Sequence, residues 1–353
     1  MDADATPQFR EQVLTAAAQG NPLRIVGGGT KQFYGREVEG EPLPVSAHRG
    51  ILSYDPAELV LTARAGTPLV EIEVALAQAG QCMPFEPPHF GSGATLGGTI
   101  ACGIAGPARA YAGAVKDFVL GVTLMNGAGQ TLRFGGQVMK NVAGYDVART
   151  MVGSLGTLGL LMDVSMKVLP RAPHSATRVF ELDAPTALQQ MSDWALKASC
   201  ISATCWVDGR LFVRLSGSDA AIQASALRMG GEAVEGCDEF WRSVREQTHA
   251  FFDSAAELIR IAVPASCPAS SFGGNCLLEW GGAQRWLKAD SGIDTVRAAA
   301  RAAGGFATRF RTRDQLGEVF EPVPDAQLRL QRSLKAVFDP SAIFNRGRLH
   351  AQL

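Results

Sequence analysis

The sequence predicts an α+β protein of two domains, and three observations carry the prediction. Its 353 residues exceed the ~100 to 200 expected of one domain. Three separated glycine-rich segments, 27–30, 91–106 and 153–159, lie among short strand patterns in the first half. Beyond a turn at Arg171 to Pro173 the glycine segments stop, and strands again alternate with helices. We therefore expect a first domain over 1–172, a smaller α+β domain over 173–322, and a C-terminal helix and tail over 323–353.

The elements follow in order. Residues 8–18 read as a short helix, and Leu23–Val26 as a strand that runs directly into Gly27-Gly28-Gly29-Thr30. Strands are expected over 51–54 and 58–64. Thr67 can then cap a helix with Pro68 at its first position. Leu69, Ile72, Leu76 and Ala79 recur at helical spacing, and Gly80 can end the helix in the left-handed conformation.

From Pro84 to Gly113 glycines and small residues leave too little bulk for an ordinary core. Strands over 118–125 and 130–134 flank Asn126-Gly127-Ala128-Gly129, which predicts a hairpin and so antiparallel sheet. A helix is expected over 145–151. The alternation over 161–168 predicts a strand buried on one face, closed by Pro170. Past the turn come a strand over 177–182, a helix over 185–197, one strand over 205–214 and a helix over 219–229. Residues 250–320 give no clear pattern. A last helix over 325–337 places Leu328, Leu334 and Phe338 on one side.

Composition narrows the function. A net charge of −1 offers no general attraction to nucleic acid or anionic lipid. The most apolar stretch, from Leu158 to Met162, breaks at Asp163, far short of the ~20 residues a spanning helix needs. Met1-Asp2-Ala3-Asp4 is acidic where a secretory signal is basic, so a cytoplasmic location is expected. The seven cysteines, at 82, 102, 200, 205, 237, 267 and 276, form no C-x-x-C pair, and the five histidines no H-x-x-x-H pair. A zinc site, an iron–sulfur cluster or any other protein-bound metal is therefore not expected.

Phosphate-bearing ligands favour places where backbone N–H groups converge and no Cβ obstructs approach. Segment 27–30 meets that description, but a G-x-G-x-x-G fingerprint fails because position 32 is Gln. No G-x-x-x-x-G-K-[ST] loop is present. Three such segments in one domain suit a long, flat dinucleotide: one loop for a pyrophosphate, one for a ring and its chain, one for an adenosine.

The ordered set resembles a known family. Arg24-Ile25-Val26-Gly27-Gly28-Gly29-Thr30, Thr95-Leu96-Gly97-Gly98-Thr99-Ile100-Ala101 with Cys102 to Gly106, Lys116 to Gly121, Lys140 to Asp146 and Gly153 to Gly159 are similar, in order and spacing, to the FAD-binding domain of the vanillyl-alcohol oxidase and p-cresol methylhydroxylase family. Within it, Ala47 to Ile51, Phe85 to Gly91, Phe338-Asp339-Pro340 and Asn345 to Leu349 resemble the FAD-binding E-type subunits of bacterial glycolate oxidases. The usual Pro after the tail Asn is Arg346 here.

The resemblance implies an α+β fold with a two-subdomain FAD domain followed by a smaller cap domain, the C-terminal helix and tail returning to the FAD domain. It implies FAD contacts from Val26, Gly27, Gly28, Gly29, Thr30, Lys31 and Gln32 around the pyrophosphate. Pro88, His89, Thr95, Leu96, Gly97, Gly98, Thr99, Ala101, Cys102, Gly103 and Ala105 would face the flavin and its ribityl chain, and Gly156, Gly159, Leu160 and Leu161 the adenosine. His89 and Cys102 could tether the flavin. The usual tethering His beside the pyrophosphate loop is absent, so noncovalent FAD is expected.

By the same resemblance the activity is oxidation of glycolate, a small 2-hydroxy acid, to glyoxylate. The partners implied are a second FAD-containing catalytic subunit and an iron–sulfur subunit, through which the chain would reach the inner face of the membrane. Such chemistry needs a base near the flavin and a cation for the carboxylate. His89 and His249 are the candidate bases, and Arg309, Arg311 and Arg260 the candidate cations. A hydrogen-bonded structural role fits each histidine as well, and a solvated edge strand fits Arg309 to Arg313. Related 2-hydroxy-acid dehydrogenases carry a histidine-rich metal cluster in the second domain, whereas His249 is this chain's sole histidine between 175 and 349. An electron-carrying or scaffolding flavin subunit is thus an alternative to a catalytic one, and a stand-alone sugar or lactone oxidase a third reading.

Overall fold

The computed structural model describes residues 3–136, 145–197, 200–253, 257–272, 274–289, 292–312 and 317–353. The matched residues 140–144, like Arg313, lie outside them. In the first half, helix α1 (Thr6–Gln19) buries Phe9, Val13 and Ala16 and ends at Gly20 in the left-handed conformation. Strand β1 (Leu23–Val26) pairs in parallel with β2 (Glu41–Pro44). Strands β3 (Ile51–Asp55) and β4 (Val60–Arg64) lead into helix α2 (Leu69–Gln78), which buries Leu69, Ile72 and Leu76. Thr67 does not cap it. Pro68 occupies the cap position, and Thr67 Oγ1 instead exchanges hydrogen bonds with the backbone of Gly50. Gly80 does turn left-handed just beyond the helix.

A short strand β5 (Gln81–Cys82) precedes helix α3 (Leu96–Cys102), the one-turn helices α4 (Arg109–Ala112) and α5 (Val115–Phe118), and the expected hairpin of β6 (Val119–Met125) and β7 (Thr131–Gly135). Helix α6 (Val147–Thr150) and strand β8 (Leu160–Lys167) follow, and β9 (Leu169–Pro170) pairs with β5. Among the described residues the larger sheet runs β3-β4-β8-β6-β7, with every neighbour antiparallel.

Strand β8 is not buried on one face alone. Leu161, Val164 and Met166 pack with α2 and α3, while Leu160 and Met162 join the core under α1. An inner strand with apolar layers on both sides reads as a nearly continuous apolar run. Its polar Ser165 is satisfied sideways by Thr62, Oγ to Oγ1 at 2.9 Å.

The second half is built on one sheet. Its elements are β10 (His174–Glu181), α7 (Ala184–Ala195), β11 (Ile201–Val207), β12 (Arg210–Gly217), α8 (Asp219–Met229), β13 (Glu232–Val234), α9 (Asp238–Glu246), β14 (Glu257–Ala262), β15 (Cys276–Glu279), β16 (Gln284–Ala289), α10 (Ile293–Ala302) and β17 (Phe306–Arg311). Among the described residues the order is β13-β10-β12-β11-β15-β16-β14-β17. The single strand expected over 205–214 is two, because Asp208 and Gly209 both take positive φ and close a tight hairpin. The patternless 250–320 region contributes β14 to β17.

Alternation sorts this sheet's faces. Leu211, Val213, Leu215 and Leu278 pack under α7 and α8, and Ile259, Ile261 and Ala307 under α10. The opposite face carries Ala203, Cys205, Phe212, Leu277, Trp286 and Phe310, and meets α9 together with Tyr34, Ile104 and Leu155 of the first half. Helix α11 (Asp325–Phe338) then sends the chain back. Leu23 N–H donates to Ile343 O at 2.7 Å and Asn345 N–H to Leu23 O at 3.0 Å, which packs Ile343 and Phe344 beneath β1.

Candidate cofactor site

Strand β1 delivers the chain into a loop of almost no side-chain bulk, and α3 begins directly opposite. The two loops touch through backbone. An ideal Cβ on Gly28 would stand 1.3 Å from Gly93 O, and one on Gly97 2.7 Å from the Ala65 side chain. These glycines are therefore required by contact between chain segments, rather than by room for a ligand as the sequence suggested. Gly29 is different: its φ of 75° needs glycine, and its Cβ direction is open. Thr95 caps α3, its Oγ1 accepting from Gly98 N–H at 3.3 Å, and lies against Gly27.

A cleft opens between these loops, its roughly 800 Å³ of space continuous with open solvent. Val26, Gly27, Gly28, Gly29, Thr30, Lys31 and Gln32 line it from β1. Thr95, Gly97, Gly98, Ala101 and Cys102 line it from α3, and Gly156, Gly159, Leu160 and Leu161 from the start of β8. All three segments singled out in the sequence thus converge on one space.

Six of the residues implied by the resemblance do not line it. Leu96 and Ala105 are in the core beneath α3. Thr99 is fully buried, and its Oγ1 has no hydrogen-bond partner among the described residues. Gly103 ends α3 in the left-handed conformation. Pro88 is buried. His89 faces outward to Glu73, Nε2 to Oε1 at 3.0 Å, while its carbonyl accepts from Lys31 Nζ at 3.2 Å.

The tail supplies two further lining residues, Asn345 and Arg348. Asn345 bridges two loops, accepting from Ile25 N–H at 2.8 Å and donating to Leu155 O at 2.6 Å. Arg348 Nη2 points at the carbonyls of Lys31, Gln32 and Tyr34, at 3.4, 3.3 and 3.0 Å. Arg24, Ile25, Val45, Ala65 and Leu155 complete the lining. The tail match at Asn345 to Leu349 was the available signal for the first two.

The proposed catalytic residues are not gathered at the cleft. His249 Nδ1 accepts from Phe251 N–H, and burial lowers its pKa. Arg309 pairs with Glu257. Arg260 donates to Gln284 Oε1 at 2.7 Å and covers the Trp280 and Trp286 rings. Arg311 lies over Phe33 and Phe90, its guanidinium carbon 4.9 and 5.4 Å from the ring centroids, and burial lowers its pKa. Phe33, Tyr34 and Phe90, which follow or flank cleft-lining Gln32 and Lys31, pack edge to face or tilted against Phe310 of the second sheet and form an aromatic wall. Among the described residues no group of three His, Cys, Asp or Glu could hold a metal ion.

The residues present fit FAD. The amides of Gly28, Gly29, Thr30 and Lys31 have no acceptor among the described residues, and four successive donors on a glycine turn suit a pyrophosphate. The Cys102 thiol at the end of α3 is held protonated by burial, and apolar side chains with backbone suit a flat ring.

A family model described as "FAD binding domain" matches residues 3–135. Glycolate oxidase subunit GlcE of Escherichia coli K12 is 46% identical over 352 residues, covering 100% of this chain and 99% of that protein. The chain belongs to the GlcE family. It is a flavoprotein of the FAD-linked oxidoreductases. Glycolate oxidase subunit GlcD of Bacillus subtilis is 29% identical over 221 residues, 57% of this chain and 46% of that one. Among solved structures, alkyldihydroxyacetonephosphate synthase superposes with a TM-score of 0.67 over 96% of this chain and 74% of its own, at 14% identity, and so shares the fold. No helix among the described residues is long and apolar enough to cross a membrane.

Proposed function

We propose that the chain holds one FAD noncovalently in this cleft and works as the E-type subunit of a glycolate oxidase complex. In that complex glycolate becomes glyoxylate, a GlcD-like subunit with its own FAD performs the oxidation, and an iron–sulfur subunit carries electrons onward one at a time. The first domain, 1–172, binds the cofactor, 173–322 serves partner contact, and 323–353 closes the cleft. When bound, FAD supplies the redox chemistry; this chain's residues position it and shield it from water.

One observation supports an electron-relaying rather than a substrate-oxidising role. Phe33, Tyr34 and Phe90 pack with Phe310 of the second sheet next to the cleft, and each candidate base lies outside the cleft lining and is already engaged, His89 by Glu73 and His249 by a backbone N–H. A base must reach the hydroxyl proton within about 3 Å, directly or through one water.

The test is the flavin spectrum of the purified chain under anaerobic glycolate. We expect the absorbance to persist for many minutes and to bleach once the GlcD-like subunit is added. Immediate bleaching of the isolated chain would return the function to the catalytic reading.

A further inference from the structure

Resting on the FAD reading above, we infer that Lys31 is the cation of this site that faces the ring end of the cofactor and stabilises the negative charge placed there by reduction. Lys31 lines the cleft yet is 7% exposed. Among the described residues its ammonium has one hydrogen-bond acceptor, His89 O at 3.2 Å, and it lies 5.6 Å from the centroid of the Phe90 ring. Among the described residues no carboxylate stands within ion-pair distance of it. A buried ammonium with one neutral acceptor is costly unless an anion joins it.

Glu246 acts on Lys31 from farther away. Its carboxylate accepts the His89 and Phe90 amides at 3.0 and 2.8 Å, and its field opposes the lowering of the Lys31 pKa that burial causes. The missing anion is thus left to the ligand.

The other two cations of the cleft are placed differently. Arg348 is engaged by three carbonyls. Arg24 stands on β1 next to Ile25, the strand that Asn345 ties to Leu155 and so to the segment proposed for adenosine. The neighbours of Lys31 are instead His89, Phe90 and Cys102, at the end of α3 proposed for the ring. Reduction of FAD by two electrons and one proton leaves one negative charge spread over the ring. Lys31 remains an ammonium throughout, gives up no proton, and lowers the energy of the reduced form by its charge.

The experiment uses the full chain loaded with FAD, with Lys31→Met and Lys31→Arg beside it. Flavin affinity is read by fluorescence, and the reduced-to-oxidised ratio is read against a reference dye during slow enzymatic reduction. We expect Lys31→Met to retain FAD but to show a ratio at least tenfold lower at the same poise, about 30 mV for a two-electron couple, with Lys31→Arg near the parent. If Lys31→Met titrates like the parent, or loses affinity with an unchanged potential, the inference is overturned, the second result moving the cation to the pyrophosphate. Should Lys31→Met hold too little flavin to titrate, Glu246→Gln decides. Removing that carboxylate should raise the ratio, and no change sinks the idea. A parent chain that binds no FAD would instead end the cofactor reading itself.

Discussion

Gly28 and Gly29 are neighbours with different reasons for being glycine. At Gly28 the Cβ position is filled by Gly93 O, so Gly28→Ala must push the two loops apart. We expect a loss of about 1–3 kcal/mol or more and a much reduced flavin content, measured by urea unfolding and by absorbance. At Gly29 space is open and the strain is in the φ of 75°. Gly29→Ala should cost roughly 1–2 kcal/mol and weaken FAD binding less. Equal effects at both positions would contradict the packing account.

Glu279 sits buried at the end of β15 in the second sheet, where burial raises its pKa from 4.5 to about 7. It accepts from Trp286 Nε1 at 2.6 Å and Gln284 Nε2 at 3.0 Å. Because the folded value lies above the unfolded one, the native state binds the extra proton. Its contribution is greatest below pH 4.5 and is lost as pH rises to about 7. Glu279→Gln should therefore gain stability relative to the parent on going from pH 5 to pH 8, by a difference on the order of a few kcal/mol. A pH-independent difference in urea midpoint between the two would refute this.

At the scale of elements, the tail is the part most easily underrated. Lys335 on α11 donates to Thr157 O, Asp339 Oδ2 and Phe344 O at 2.6, 2.7 and 2.8 Å, all buried. Asp339 in turn accepts the Ile343 and Phe344 amides. Replacing Lys335 by Met leaves that carboxylate buried without its cation, which costs on the order of 3–5 kcal/mol. Asn345→Ala removes both hydrogen bonds that tie β1 to Leu155. We expect about 2 kcal/mol of lost stability and a clear loss of FAD affinity in fluorescence titration. An unaffected affinity would show that the tail braces the fold without shaping the cleft.

Elements with a strong local signal were legible from the residues. Helix α2, the β6–β7 hairpin and α8 follow from apolar spacing and turn residues. Three elements departed from expectation for identifiable reasons. Thr67 found a better partner in Gly50 than in the helix end. Strand β8 gained a second apolar layer from α1 and the tail. The strand over 205–214 hid a two-residue turn, since Asp208-Gly209 lies inside an otherwise unbroken strand-like run.

At the scale of the whole molecule, the cleft among the loops of the first half lies next to aromatic rings that pack onto Phe310 of the second sheet. Electrons and substrate need not use the same route. The glycolate experiment tests that separation directly, and the Lys31 potentials test how the cleft is tuned.

The glycine segments, by their order and spacing, carried the resemblance to an FAD-binding family without any coordinates, because close contact between backbone segments demands small residues at fixed positions. Which of those residues reach the cleft, and which candidate bases and cations are already committed to partners, was decided by tertiary structure alone. Such roles depend on contacts between positions up to 320 residues apart, as Ile25 and Asn345 show, and no local pattern records them.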